Sequence, residues 1–178
     1  MLVNCNHKSG HGRFFEVGNV HFSNSGSLPE ERKMLGIICF GDNESFFTIK
    51  GVVEQLLSKV GAENVRFERG GGTYLHPGQK AVIVIDGENV GEIGTIHPKV
   101  QRAFGLPTKA YVVEINFNKF GTHFAGIKKY RPIPKFPVVP RDLAIIVDSD
   151  VEAQTILDAA NSAKVNVLVE NARVFDVY

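Results

Sequence analysis

Proline breaks this chain at one place. Of its eight prolines, Pro132, Pro134, Pro137 and Pro140 fall within nine residues, in the stretch RPIPKFPVVPRD. Each fixes its own φ, lacks a backbone donor and drives the preceding residue toward extended geometry. Neither a helix nor a central strand can run through such a stretch. It reads as a stiff connector delivering the chain into Leu143 to Val147, an apolar run with the composition of a strand. The 178 residues suffice for one good core, or for one domain and part of another.

Charge changes at the same place. Between Glu114 and Asp142 there is no acid, but there are Lys119, Lys128, Lys129, Arg131, Lys135 and Arg141. Beyond Asp142 the acids Asp148, Asp150, Glu152, Asp158, Glu170 and Asp176 face only Lys164 and Arg173. Such a shift marks a domain boundary. The basic stretch is either a solvated linker or a contact for phosphates or an acidic partner, and Lys128, Lys129, Arg131, Lys135 and Arg141 are its candidate residues. A net charge of +1 gives no global pointer to nucleic acid or membrane, and neither DNA nor a membrane is expected as a partner. No apolar run reaches the about 18 residues of a transmembrane helix, and MLVNCNHKSGHGRFF has no apolar signal core. Cys5 and Cys39 are far apart, which suits two reduced thiols in a cytoplasmic protein.

Periodicity supplies the elements. RFFEVGNVHF reads as a strand, and KMLGIICFG as a strand buried on both faces. In TIKGVVEQLLSKVG the residues Ile49, Val52, Val53, Leu56, Leu57 and Val60 make one helical stripe, with Thr48 as N-cap and Gly61 as C-terminal αL glycine. VRFER is a strand and GGGTYLHPG a flexible loop. AVIVID and VGEIGTIH form a hairpin turning at Gly87, PKVQRAF is a short helix with Pro98 at its start, and KAYVVEINFNKF is a long strand. After the prolines come a strand (RDLAIIVD), a helix (EAQTILDAANSA) and a strand (VLVENARVFDVY). The whole predicts an α+β protein, an antiparallel sheet with helices on one face followed by a β-α-β unit.

Catalytic signatures are absent: no GxSxG, Walker A, HExxH or CxxC occurs. Gly70-Gly71-Gly72 lacks the Lys-Ser/Thr of a phosphate cradle. His76, His97 and His123 have no metal-ligand spacing, so no metal is expected; His76 and His97 fit turn-holding hydrogen bonds beside Pro77 and Pro98. Glu16 and Glu114 lie inside apolar strands, where a carboxylate needs a partner, and point to a buried polar network or a former active site.

RFFEVGNVHF, LPEE, TIKGVVEQLL, LHPGQKA, VGEIGTIHPKV, AYVVEINF and KFPVVPRDLAIIVD, in that order, resemble the C-terminal part of the bacterial phenylalanyl-tRNA synthetase beta subunit family. The likeness covers nearly the whole chain. It implies a degenerate class II synthetase core over residues 1–126, a proline-rich basic linker over 127–141 and the first half of a ferredoxin-fold anticodon-binding domain over 142–178. It implies no catalytic residue here. Arg13 and Glu16 stand where an ATP-binding arginine motif belongs, but SNSGSLPEE offers no arginine before Arg32, and NKFGTHFAG has neither an arginine nor a helix-opening glycine motif. In the family a catalytic alpha subunit charges tRNA with phenylalanine, using ATP and Mg, in an assembly of two alpha and two beta subunits. This chain is expected to bind no cofactor itself and to serve assembly and tRNA binding. Pro140 departs from the family, which has an arginine or similar residue before the pair retained here as Arg141-Asp142.

The resemblance also implies an interface helix before Met1 and a ferredoxin-like unit lacking the strand between its first two. Residues Asp142 to Tyr178 should then carry an unfilled slot and unpaired strand edges. The alternative function is a stand-alone or decayed protein-interaction module without a synthetase role.

Overall fold

A computed structural model of the chain describes residues 1–24, 26, 28–124, 130, 132, 135, 137, 139–162 and 172–177. The chain divides into two units, Met1–Lys129 and Tyr130–Tyr178.

The first unit is built on a six-stranded sheet. Its strands are β1 (Gly12–Phe22), β2 (Glu30–Phe40), β3 (Val65–Glu68), β4 (Leu75–Ile85), β5 (Glu88–Ile96) and β6 (Ala110–Asn116), in the spatial order β1-β2-β6-β5-β4-β3. All neighbours are antiparallel. β1 and β3 form the edges. β1 pairs with β2 in unbroken register over all eleven of its residues, whereas β3 has only four.

Helices α1 (Leu2–Asn6), α2 (Phe46–Val60), α3 (Pro98–Ala103) and α4 (Phe117–Thr122) complete this unit. The apolar stripe of α2 puts Ile49, Val53 and Leu57 into the core, each within about 1% of full burial. Burying such a side chain contributes roughly 1.5–3 kcal/mol. The N-cap is Ser45, not Thr48. Ser45 Oγ accepts the Thr48 amide at 3.1 Å, and Thr48 at N3 reaches back to the Ser45 amide, closing a capping box. Gly61 ends the helix at φ 77°, as its position predicts.

Residues paired across neighbouring strands share a face. One face carries Leu35, Cys39, Ile83, Ile93, Val113 and Ile115, and packs on α2 and on Phe120 of α4. β2 is fully buried only at Leu35, Cys39 and Phe40, less than its apolar run suggests. The β4–β5 hairpin turns through Asp86 (φ 50°) and Gly87 (φ 82°), the pair of positive φ angles of a type I′ turn.

Two segments differ from expectation. LHPG is not loop but the start of β4, set off from the rest of the strand by a register shift between Leu75 and Lys80. The strand expected to reach Phe120 stops at Asn116, whose side chain accepts the Asn118 and Lys119 amides at 3.1 Å and caps α4. An asparagine N-cap outweighs the alternating pattern there.

In the second unit the expected helix forms as α5 (Ala153–Ser162). The strand expected at Leu143 to Val147 has no partner among the described residues. Leu143, Ile145, Ile146 and Val147 are exposed. Of VLVENARVFDVY, residues 172–177 have no strand partner among the described residues, and 167–171 and 178 lie outside them. Among the described residues, no helix is long and apolar enough to cross a membrane.

Candidate functional site

The face of the sheet opposite α2 carries a row of residues in continuous register: Glu16, Gly36, Glu114, Glu92, Val82 and Glu68, one from each strand. Four of the six are glutamates, and Glu92 lies directly across from Glu114. Like charges so placed repel. Glu16, Glu68 and Glu114 are exposed, which corrects the expectation of a buried polar network for Glu16 and Glu114.

Glu92 has a defined surrounding. Its carboxylate accepts the Gly72 amide and the Tyr74 hydroxyl, both at 2.6 Å. Lys80 Nζ donates to the Gly71 carbonyl at 2.8 Å. The triple glycine is therefore fastened to the sheet rather than loose, and its Gly72 amide goes to a carboxylate instead of a phosphate. Burial, and then the bonded Glu92 and nearby Glu114, push the Tyr74 phenol well above its usual range. Nothing in the linear pattern singles out Glu68, Glu92 or Tyr74. Only cross-strand register assembles them.

Arg13 does not join this row. In a strand, residues three apart point to opposite faces. Arg13 pairs with Cys39 on the α2 face, while Glu16 pairs with Gly36 on the other. The Arg13 guanidinium is held by Glu44 through Nε at 2.6 Å and Nη2 at 3.2 Å. Four glutamates on one face and an arginine committed to a carboxylate on the other do not fit a polyphosphate.

The histidines serve turns and ends separately. His76 Nδ1 accepts the Gly78 amide at 3.1 Å, and His97 Nδ1 accepts the Lys99 amide at 3.0 Å as N-cap of α3. The His97 bond holds a helix start beside Pro98 as expected, whereas the His76 bond lies within the irregular start of β4, not in a loop turn. His123 lies between Asp86, 3.3 Å from Nδ1, and Glu88, 3.2 Å from Nε2. Among the described residues no group of three or more His, Cys, Asp or Glu could hold a metal ion. Both cysteines are free thiols, and burial pushes the Cys39 thiol up.

Of the candidate basic residues, Lys128, Lys129 and Arg131 lie outside the described residues. Lys135 and Arg141 are exposed, and Arg141 Nη1 donates to the Pro140 carbonyl at 3.0 Å.

Residues 1–117 match the family model described as "Phenylalanyl tRNA synthetase beta chain CLM domain", and residues 134–178 match "Ferredoxin-fold anticodon binding domain". The chain is 38% identical to a phenylalanine–tRNA ligase beta subunit of Symbiobacterium thermophilum, over 92% of this chain and 20% of that protein. It is 34% identical to one of Staphylococcus saprophyticus, over 100% of this chain and 23% of that protein. It is 32% identical to one of Carboxydothermus hydrogenoformans, over 92% of this chain and 22% of that protein. The chain thus spans about a fifth of the length of these relatives. The fold defines an antiparallel α+β sheet unit, and the family match adds a segment similar to a ferredoxin-fold anticodon-binding domain. The chain belongs to the phenylalanyl-tRNA synthetase beta chain family.

Proposed function

We propose that this chain acts within the non-catalytic beta subunit of a phenylalanine–tRNA ligase, serving assembly and tRNA binding. On this reading a catalytic alpha subunit, paired as two alpha and two beta, forms the aminoacyl ester in the cytoplasm using ATP and Mg. The observation that carries it is the order of the two family matches, one before and one after the proline segment. Within it, residues 1–126 act as a synthetase-like core for assembly. Residues 127–141 are the basic linker, and 142–178 begin the anticodon-binding domain.

The separation of Arg13 from Glu16 supports a core that takes no part in ATP chemistry. The basic run before Asp142 supports an RNA contact through Lys128, Lys129, Arg131, Lys135 and Arg141.

The test is a titration of phenylalanine tRNA with the chain at several salt concentrations. The expected result is an affinity that falls linearly in log–log form, with the slope reduced by about one for each of Lys135→Ala and Arg141→Ala. Salt-independent binding, or no binding, rejects the RNA role. Calorimetric binding of ATP–Mg by the chain would reject the inactive core.

A further inference from the structure

The connection from β5 to β6 runs from His97 to Lys109 and closes one end of the first unit's sheet. From Ile93 to Val113 it has no acid, but it has Lys99, Arg102 and Lys109. Lys99 and Arg102 stand three apart on α3 and so share a side of that helix. The register Thr95↔Tyr111, carried two residues further, sets Lys109 beside His97 at the base of α3.

All three cations are exposed, and among the described residues none makes an ion pair. Elsewhere in the unit Arg13, Arg32, Lys50 and Lys119 each pair with a carboxylate, while Lys8, Lys33 and Lys59 make no ion pair among the described residues. In sequence Phe104, the C-cap of α3, falls between Arg102 and Lys109, and it is 68% exposed.

The backbone of this tip is fixed. His97 caps α3, Pro98 begins it, and Gly105 takes the left-handed φ of 61°. The Leu106 amide donates to the Gln101 carbonyl at 3.0 Å, and Gln101 Nε2 donates back to the Leu106 carbonyl at 3.4 Å. The side chains are thus presented with little backbone ordering left to lose on binding.

We propose that this tip is a second RNA contact, apart from the basic linker. Lys99, Arg102 and Lys109 bind phosphates, and Phe104 stacks an unpaired base. Cations beside an open aromatic face are what single-stranded nucleic acid needs, because every base has a face to stack and every nucleotide a charge. An acidic protein surface is the competing occupant, and co-purification with the alpha subunit separates the two. The tip and α4 lie at opposite ends of β6, about 20 Å apart at the rise of a strand.

The proposal rests on the tRNA-binding reading above, and the experiment separates the two. Fluorescence anisotropy with a single-stranded oligouridylate and with phenylalanine tRNA compares three variants of the chain. They are Lys99→Gln/Arg102→Gln/Lys109→Gln, Phe104→Ala, and Lys135→Gln/Arg141→Gln as the linker control.

The triple tip variant is expected to lower the single-strand salt slope by about two. Phe104→Ala is expected to weaken binding roughly tenfold at unchanged slope. The side chains are exposed, so unchanged melting temperatures should accompany both. If tip variants bind like the wild type while the linker variant loses binding, the tip contact is overturned and the tRNA reading stands. If the wild-type chain binds no RNA, both fall. If tip variants keep RNA binding but lose co-purification with the alpha subunit, the tip is a protein interface and the RNA contact is overturned.

Discussion

Gly91 sits where β5 runs against β6, and a Cβ built there would lie 2.2 Å from the Glu114 carbonyl oxygen and 2.9 Å from the Ile115 Cα. Those are backbone atoms in a paired strand and have no rotamer by which to yield. Gly91→Ala is expected to cost about 3 kcal/mol or more, read from denaturant midpoints. Gly51, inside α2, meets nothing within 4 Å, so Gly51→Ala should instead stabilise by about 0.5–1 kcal/mol. Tyr74 gives a pH prediction. Its folded pKa lies above the ordinary phenol value, so its contribution is whole below that value and fades as pH rises above it. In an alkaline titration followed by phenolate absorbance, Tyr74 should ionise only as the fold is lost, and Tyr74→Phe should remove that late step. Glu88 works the other way. Its carboxyl is held below the usual range, first by Lys119 and then by His123. That contribution is present above the ordinary carboxylate value and disappears as pH falls through the folded one. The melting-temperature gap between wild type and Glu88→Gln should therefore be open at pH 7 and closed in strong acid.

Among the elements, α2 depends on its two ends. Ser45→Ala removes the acceptor of the capping box and is expected to cost about 1 kcal/mol, measured by thermal or denaturant melts, whereas Thr48→Ser should cost less because it keeps a hydroxyl at N3. This helix shows how far the sequence could be read. Its length and buried stripe follow from period-3.6 spacing, and Gly61 and the Asp86-Gly87 turn follow from the φ angles glycine permits. Its cap was legible only to within a turn, because Ser45 and Thr48 are both capping residues and the choice depends on where the chain enters. α4 leaves no periodic signal, because Phe117 continues the alternation of Val113 and Ile115 and a six-residue helix has too few turns to show a period. The glutamate row could not be read from the linear sequence at all. Its members lie far apart in sequence, and a one-residue slip of any strand would turn one of them to the other face.

At the scale of the whole chain the two units differ in what holds them. The first buries Phe40, Ile83, Ile93, Ile115 and Phe120 almost completely, while among its described residues the second buries nothing. Amide exchange should divide accordingly: slowest at Ile83 and Val113, and close to unprotected rates from Leu143 to Val147. Slow exchange across Leu143 to Val147 in the chain alone would show that this segment has found a partner strand. The two sheet edges also differ. β3 is short and carries Arg66 and Glu68, while β1 runs eleven residues without a bulge or proline and exposes Phe14, Phe15, Val17, Val20 and Phe22. Encounters between two such edges are bimolecular, so loss of soluble chain on storage should scale with the square of its concentration. Dilution would then preserve a sample: each halving of concentration would slow the initial loss about fourfold, and Val17→Lys would slow it further.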